Sequence, residues 1–225
     1  MMSGFVDTRS DLRFASLQSP RPIGLNSKRV IDVVLALSAI VLLHPLLIIC
    51  FVVTVVASPG PALFRHKRVG FKGKCFECLK FRTMATDAPE RLRQLLERDP
   101  IAAAEWTFNR KLRNDPRVTA IGVILRRSSL DELPQLFNVL KGDMSIVGPR
   151  PVTEEELVRY SSAINAYCAC RPGMTGLWQV GGRSTTTFNR RVAFDRFYAR
   201  NWSMTLDAKI IVATIPAVCF SDTAY

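Results

Sequence analysis

"VVLALSAIVLLHPLLIICFVVTVVA", residues Val33–Ala57, is the stretch on which the architecture turns. Its 25 positions are interrupted only by Ser38, His44, Pro45 and Thr54. As a helix rising 1.5 Å per residue it would be about 38 Å long, more than the ~30 Å hydrocarbon core of a bilayer. It does not read as a cleavable signal. A mixed polar segment precedes it, and "VVASPGPALF" offers no convincing cleavage site. The run is a membrane element. Pro45 stands at its midpoint, where proline removes a helix hydrogen bond and clashes with the preceding turn. His44 adds a polar group at mid-depth, which is costly in lipid.

The flanks bear on how the element sits. Arg21, Lys28 and Arg29 precede it, and Arg65, Lys67, Arg68, Lys72 and Lys74 follow. Basic flanks favour the cytoplasmic side, and a single crossing cannot place both ends there. A hairpin broken at His44–Pro45 can, with two arms of about 18 Å that dip into one leaflet. Straight spanning is the alternative, since spanning helices tolerate proline. The expected organisation is a flexible lead over 1–26, a re-entrant membrane helix over 27–58 broken at His44–Pro45, and a domain on the cytoplasmic face over 59–225. The expected fold class is mainly α with a small β element, a monotopic membrane protein with an N-terminal re-entrant helix hairpin and amphipathic interfacial helices.

The rest of the chain supports that class. Turn signals at Pro59–Gly60 and Gly70 among β-prone residues predict a small hairpin. "TDAPERLRQLLERD" predicts a helix with Asp87 as cap, Pro89 in its first turn, and one face of Leu92, Leu95 and Leu96. Ile210–Phe220 is too short to span and reads as a core or interfacial helix. A formal net charge of +12 over 225 residues calls for anionic partners: nucleic acid, an anionic membrane face or phosphorylated substrates. Two histidines are too few for a histidine metal site, and six cysteines lack the density of a disulfide scaffold, which implies a reducing, cytosolic environment. Cys75-x-x-Cys78 and Cys168-x-Cys170 could in principle share Zn²⁺. Their separation and the unusual second spacing favour ordinary buried cysteines.

Within "SSLDELPQLFN", Ser128–Asn138, two acids open an apolar-periodic run. Leu133, Leu136, Phe137 and Leu140 form the stripe, so a helix is expected over 130–141. Asp131 and Glu132 at its start have a local reading: Ser129-x-x-Glu132 matches a capping box, and acids suit first turns. They also have a chemical one. Two carboxylates beside Arg126 and Arg127 at a helix start could hold Mg²⁺ and a phosphate together.

The longer stretch "RRSSLDELPQLFNVLKGDMSIVGPRP", with "VASPGPALFRHKRVGFKGKCFECLKFRTM", "DPRVTAIG", "RPGMTGLWQVGGR" and "DRFYARNWSMTLDAKII", resembles the bacterial sugar transferase family. These are monotopic phosphoglycosyl transferases, or polyprenyl-phosphate hexose-1-phosphate transferases. The match runs in the family's order from about residue 27 to the end. The length is similar to short members carrying only the catalytic unit, such as exopolysaccharide undecaprenyl-phosphate galactose phosphotransferases. The resemblance implies transfer of a sugar 1-phosphate from a UDP-sugar, with galactose or glucose as candidates, to undecaprenyl phosphate. UMP would leave, and the reaction would open exopolysaccharide synthesis at the cytoplasmic face of the bacterial inner membrane.

The same resemblance assigns roles to residues. Asp131 is the expected nucleophile, forming a covalent phosphosugar intermediate, and Glu132 the acid associated with Mg²⁺, with Asp131 beside it. Lys80, Arg82, Arg126, Arg127, Arg150 and Arg183 match basic positions expected to bind phosphates, and Asp143 matches a supporting acid. His44–Pro45 matches the helix break, although His44 departs from the small polar residue usual there. Expected partners are the UDP-sugar, undecaprenyl phosphate and anionic membrane lipid. Homo-oligomerisation is left open. A phosphohydrolase using the same acids with water as acceptor is a second enzymatic reading. A basic, membrane-anchored nucleic-acid-binding protein is a third, but no helix-turn-helix, zinc-finger or aromatic RNA-binding motif supports it, so nucleic acid is not an expected partner.

Overall fold

The computed structural model describes residues 23–109, 112–182 and 186–219. Most of the expected lead, residues 1–22, and Arg183 lie outside them. The apolar run is one α-helix, α1, Leu25–Ala57, with Pro45 inside it. At 1.5 Å per residue, its 33 residues reach about 50 Å. Among the described residues it is the one helix long and apolar enough to cross a membrane, with mean hydropathy 2.8. Val34, Val41, Leu42, Ile48 and Val56 are all exposed, so apolar side chains face outward around much of the cylinder, as lipid requires.

The expected separation into two helices at His44–Pro45 is not what the backbone adopts, since a single helix runs through both residues. The physical reason is local. Proline deletes one N–H bond and crowds one carbonyl, which bends a helix without obliging it to end.

A two-stranded sheet follows, β1 (Leu63–Val69) and β2 (Cys75–Phe81), the expected small hairpin. Helix α2 (Ala88–Arg98) buries none of its residues. Asp87 precedes it without capping it through the side chain; its carboxylate accepts from Arg91 Nε at 2.8 Å instead. Helices α3 (Pro100–Asn109), α4 (Ala120–Arg127) and α5 (Gln135–Lys141) come next. Strand β3 (Ser145–Val147) leads through α6 (Glu154–Val158) and α7 (Ile164–Cys168) to β4 (Gly173–Thr175). Three further helices are described: α8 (Leu177–Val180), α9 (Phe188–Asn201) and α10 (Met204–Cys219).

The chain divides into two compact units. One comprises Met1–Leu43, Arg65–Leu79 and Pro134–Tyr225. Its β3 and β4 pair in parallel, with Ser145 opposite Gly173 and Val147 opposite Thr175. The "GPRP" and "RPGMTG" loops press backbone on backbone there: a Cβ at Gly173 would lie 2.1 Å from Gly148 N, so only glycine fits. One cluster gathers Val69, Val152, Leu157, Tyr160, Tyr167 and Cys168, and another Val147, Cys170, Tyr198 and Ile210. Tyr167 ties the first together, its hydroxyl donating to Val69 O at 2.7 Å and accepting from Val152 N at 3.2 Å. Cys78, Cys168 and Cys170 are buried, and the Cys75 thiol donates to Glu154 Oε1 at 3.2 Å.

The same unit anchors the start of α1 through polar contacts. Lys28 Nζ donates to Asp207 Oδ2 at 2.6 Å, and Arg29 donates to the Val139 and Leu140 carbonyls. Asp32, 3% exposed, accepts from Ser145 Oγ at 2.9 Å and Ile146 N at 3.0 Å. Tyr198 and Trp202 also donate to Asp207, at 2.7 and 3.0 Å.

The second unit comprises His44–Phe64 and Lys80–Leu133. Its core joins Cys50, Phe81 and Leu125, flanked by Leu46, Leu47, Leu63 and Leu133. The "KFRTM" and "DPRVTAIG" segments meet at a Met84–Val118 bridge. Thr119 caps α4 by accepting from Gly122 N at 2.9 Å. Gly122 is required because a Cβ there would sit 2.1 Å from Thr83 O.

Candidate active site

Asp131 and Glu132 lie in a single 3-10 turn, Leu130–Glu132, between α4 and α5. Ser129 enters it in the left-handed region at φ 57° and caps nothing with its side chain. The capping box expected at Ser129-x-x-Glu132 therefore does not form. An N-cap needs extended backbone, and Pro134 delays the α-helix to Gln135. The box instead forms where it was not sought: Thr153 Oγ1 accepts from Glu156 N, and Glu156 returns the bond to Thr153 N. The expected apolar stripe is also rotated. Phe137 is 47% exposed, while Gln135, Leu136, Asn138 and Val139 face inward.

The turn that replaces the cap brings the acids to a lysine. Lys80 Nζ, from the end of β2, donates to Glu132 Oε1 at 2.6 Å and lies 3.9 Å from Asp131 Oδ2. Asp131 is 9% exposed. Burial pushes its carboxyl up to about 6; Lys80 opposes this, Glu132 adds to it, and Arg126 opposes it more weakly. Arg126 is held by a bond from its Nε to Thr83 Oγ1 at 2.9 Å. A carboxyl dehydrated enough to hold its proton to pH 6, beside a primary ammonium and a guanidinium, is suited to attack on an anionic electrophile.

The other anticipated residues are distributed differently. Arg82 binds the carbonyls just after α1: Ser58, Pro59 at 2.8 Å and Gly60 at 3.4 Å, and its buried Nε has no hydrogen-bond partner among the described residues. Arg127 is exposed at the end of α4. In the other unit, Asp143 lies 3.5 Å from Lys141 and accepts from Asn138 Nδ2 at 3.4 Å. Arg150, in that unit too, stacks on the Trp178 ring at 5.1 Å.

Several organising residues were not anticipated. Asn138 bonds to both ends of a β2 segment, its Oδ1 accepting from Leu79 N at 2.9 Å and its Nδ2 donating to Glu77 O at 2.7 Å. Asp195, 3% exposed, accepts from the Tyr160 hydroxyl at 2.7 Å, and burial lifts its carboxyl to about 7. Asp32 carried a readable signal, an acid one residue ahead of an apolar run, where charge is costly unless paired. No such signal marked Asn138 or Asp195.

Among known proteins, the sequence profile described as "Bacterial sugar transferase" matches residues 24–221. The chain is 48% identical to the exopolysaccharide production protein ExoY of Sinorhizobium fredii over 91% of both chains. It is also 48% identical to the undecaprenyl-phosphate galactose phosphotransferase of Salmonella typhimurium, covering 88% of this chain and 41% of that one. With the UDP-glucose:undecaprenyl-phosphate glucose-1-phosphate transferase of Caulobacter vibrioides it shares 44% identity over 88% of this chain and 72% of that one. A match along nearly the whole chain makes the protein an enzyme of the bacterial sugar transferase family.

Proposed function

We propose that the enzyme transfers a hexose 1-phosphate from a UDP-sugar to undecaprenyl phosphate, releasing UMP, as the first step of exopolysaccharide synthesis. The observation that carries this reading is the Asp131 carboxyl: buried, set in a tight turn, and faced by Lys80. In the first step an Asp131 oxygen attacks the β-phosphorus. The bond from that phosphorus to the bridging oxygen breaks, and UMP leaves with the oxygen and its electron pair. In the second step a phosphate oxygen of the lipid carrier attacks the same phosphorus. The phosphorus–Asp131 bond breaks, the carboxylate is restored, and the lipid carries a sugar diphosphate. Two steps suit this reaction because one site then admits two bulky anions in turn.

Lys80 helps to keep Asp131 ionised and offers a point charge to the diphosphate. Arg126 and Arg127 add charge from the end of α4, and Arg82, Arg150 and Arg183 belong to the same proposed phosphate-binding set. Mg²⁺ is commonly held by one or two carboxylates together with substrate phosphates, and two adjacent acids fit that use. Among the described residues no three His, Cys, Asp or Glu side chains gather, so substrate oxygens would complete the shell. Glu132 and Asp131 would hold the ion, which when bound neutralises diphosphate charge.

The membrane reading rests on charge. Lys28 and Arg29 stand at the start of α1, and Arg65, Lys67 and Arg68 follow it. Basic flanks on both sides favour keeping both ends at the cytoplasmic face of the inner membrane, where UDP-sugars are available.

The test is a panel of UDP-sugars with undecaprenyl phosphate and Mg²⁺, scored by UMP release, for wild type and Asp131→Asn. Release that needs the lipid and fails in the variant is the expected result. Sustained release without lipid would turn the reading to a hydrolase, and an unchanged rate in the variant would remove the nucleophile.

A further inference from the structure

Two guanidinium groups share one indole in the unit that contains β3 and β4. Arg150 lies 5.1 Å and Arg191 5.8 Å from the Trp178 ring centre. Arg150 follows β3, Trp178 lies in α8 and Arg191 in the first turn of α9, so three separate elements build the arrangement. Arg191 is steered by its Nε, which donates to Thr186 O at 3.2 Å. Neither guanidinium makes a hydrogen bond from its terminal nitrogens to another described residue.

Such a pair is uncomfortable by itself. Burial and then the neighbouring Arg150 charge hold the Arg191 pKa below its ordinary value. The nearest acids give weak compensation. Glu156 is engaged by Arg68 at 3.0 Å, and the Asp195 carboxylate is bound to Tyr160. Arg159 and Arg190 stack on Phe188 and Phe194 nearby and add further positive charge. A stacked guanidinium keeps its N–H edge available, and two of them suit a doubly charged oxyanion that accepts several bonds.

We propose that Arg191 joins Arg150 in a clamp, mounted on the face of Trp178, that binds a phosphate group of substrate. The choice of phosphate rests on the transferase reading, whose substrates are a nucleoside diphosphate sugar and a lipid phosphate monoester. Both present the same chemistry, and the experiment separates them. Arg191 is the new element; it was not among the basic residues that the sequence pointed to.

The full chain, carrying Asp131→Asn to prevent turnover, is titrated calorimetrically in detergent with UMP and separately with geranyl phosphate. Neutral uridine serves as control. Arg191→Gln is expected to weaken at least one phosphate probe by about tenfold or more and to leave uridine within twofold. Arg191→Lys, which keeps the charge and loses the fork, should fall between. The weakened probe identifies which substrate the clamp holds, and loss of both identifies a shared phosphate position. The proposal is overturned if both variants bind both phosphate probes within twofold of their parent. It is also overturned if uridine weakens in parallel with UMP while geranyl phosphate does not change. Should the turnover assay fail while the clamp persists, the transferase reading falls and the anion site stands.

Discussion

Asp131 is where burial and charge oppose each other most directly. Its carboxyl is raised to about 6, chiefly by burial, with Lys80 the largest opposing influence. Catalysis by attack needs the ionised form, so kcat/KM should rise with pH through about 6 and level off above it. Lys80→Met removes the opposing charge and should move that rise to higher pH, besides lowering the rate; a pH–rate profile checks both. The same shift has a stability consequence of defined sign. Between the ordinary carboxylate pKa and about 6, the folded state binds more protons than the unfolded, so Asp131 costs stability as pH rises through this window. Asp131→Asn should therefore abolish UMP release yet raise Tm at pH 7 by roughly 3–8 °C. Calorimetry at pH 7 and pH 4 checks it, since the gain should shrink at the lower pH.

At the scale of elements, the start of α1 is unusual for so apolar a helix. Lys28 and Asp207 are 179 positions apart, yet they form a pair with side chains only 10% and 15% exposed. Breaking one partner of such a pair leaves an uncompensated buried charge, at a cost of about 3–5 kcal/mol. Asp207→Ala should lower thermal stability accordingly, and adding Lys28→Met should recover part of the loss; a double-mutant cycle by thermal denaturation measures it. The course of α1 is tested by labelling. Cysteines placed at Ser27 and Pro61, both exposed, should each be shielded from an impermeant maleimide in intact cells and react in inverted vesicles. Labelling of only one of them from outside would make α1 a crossing helix.

For the molecule as a whole, two attractions to a membrane act together. The net charge of +12 favours an anionic leaflet and is screened by salt. The exposed apolar side chains of α1, and Val212 and Ile215 exposed on α10, are not screened. The protein should therefore stay in the membrane fraction at high salt and come off only with detergent. Release by salt alone would show that charge dominates and that α1 does not enter the lipid.

What the sequence determined by itself is what depends on neighbours in the chain. The apolar run over 33–57, the hairpin over the Gly–Pro turns, and the amphipathic α2 follow from composition and period alone. The pairing of Asp131 with Glu132 was legible too, because the two are adjacent. What surrounds them was decided in three dimensions. Lys80 reaches Glu132 from 52 positions away, and a left-handed Ser129 replaces the capping box that local pattern favoured. Asn138 was turned inward by the backbone groups of Glu77 and Leu79, and Asp32 by Ser145. A buried polar group is stable only where distant chain supplies its partner, and sequence spacing does not encode that distance.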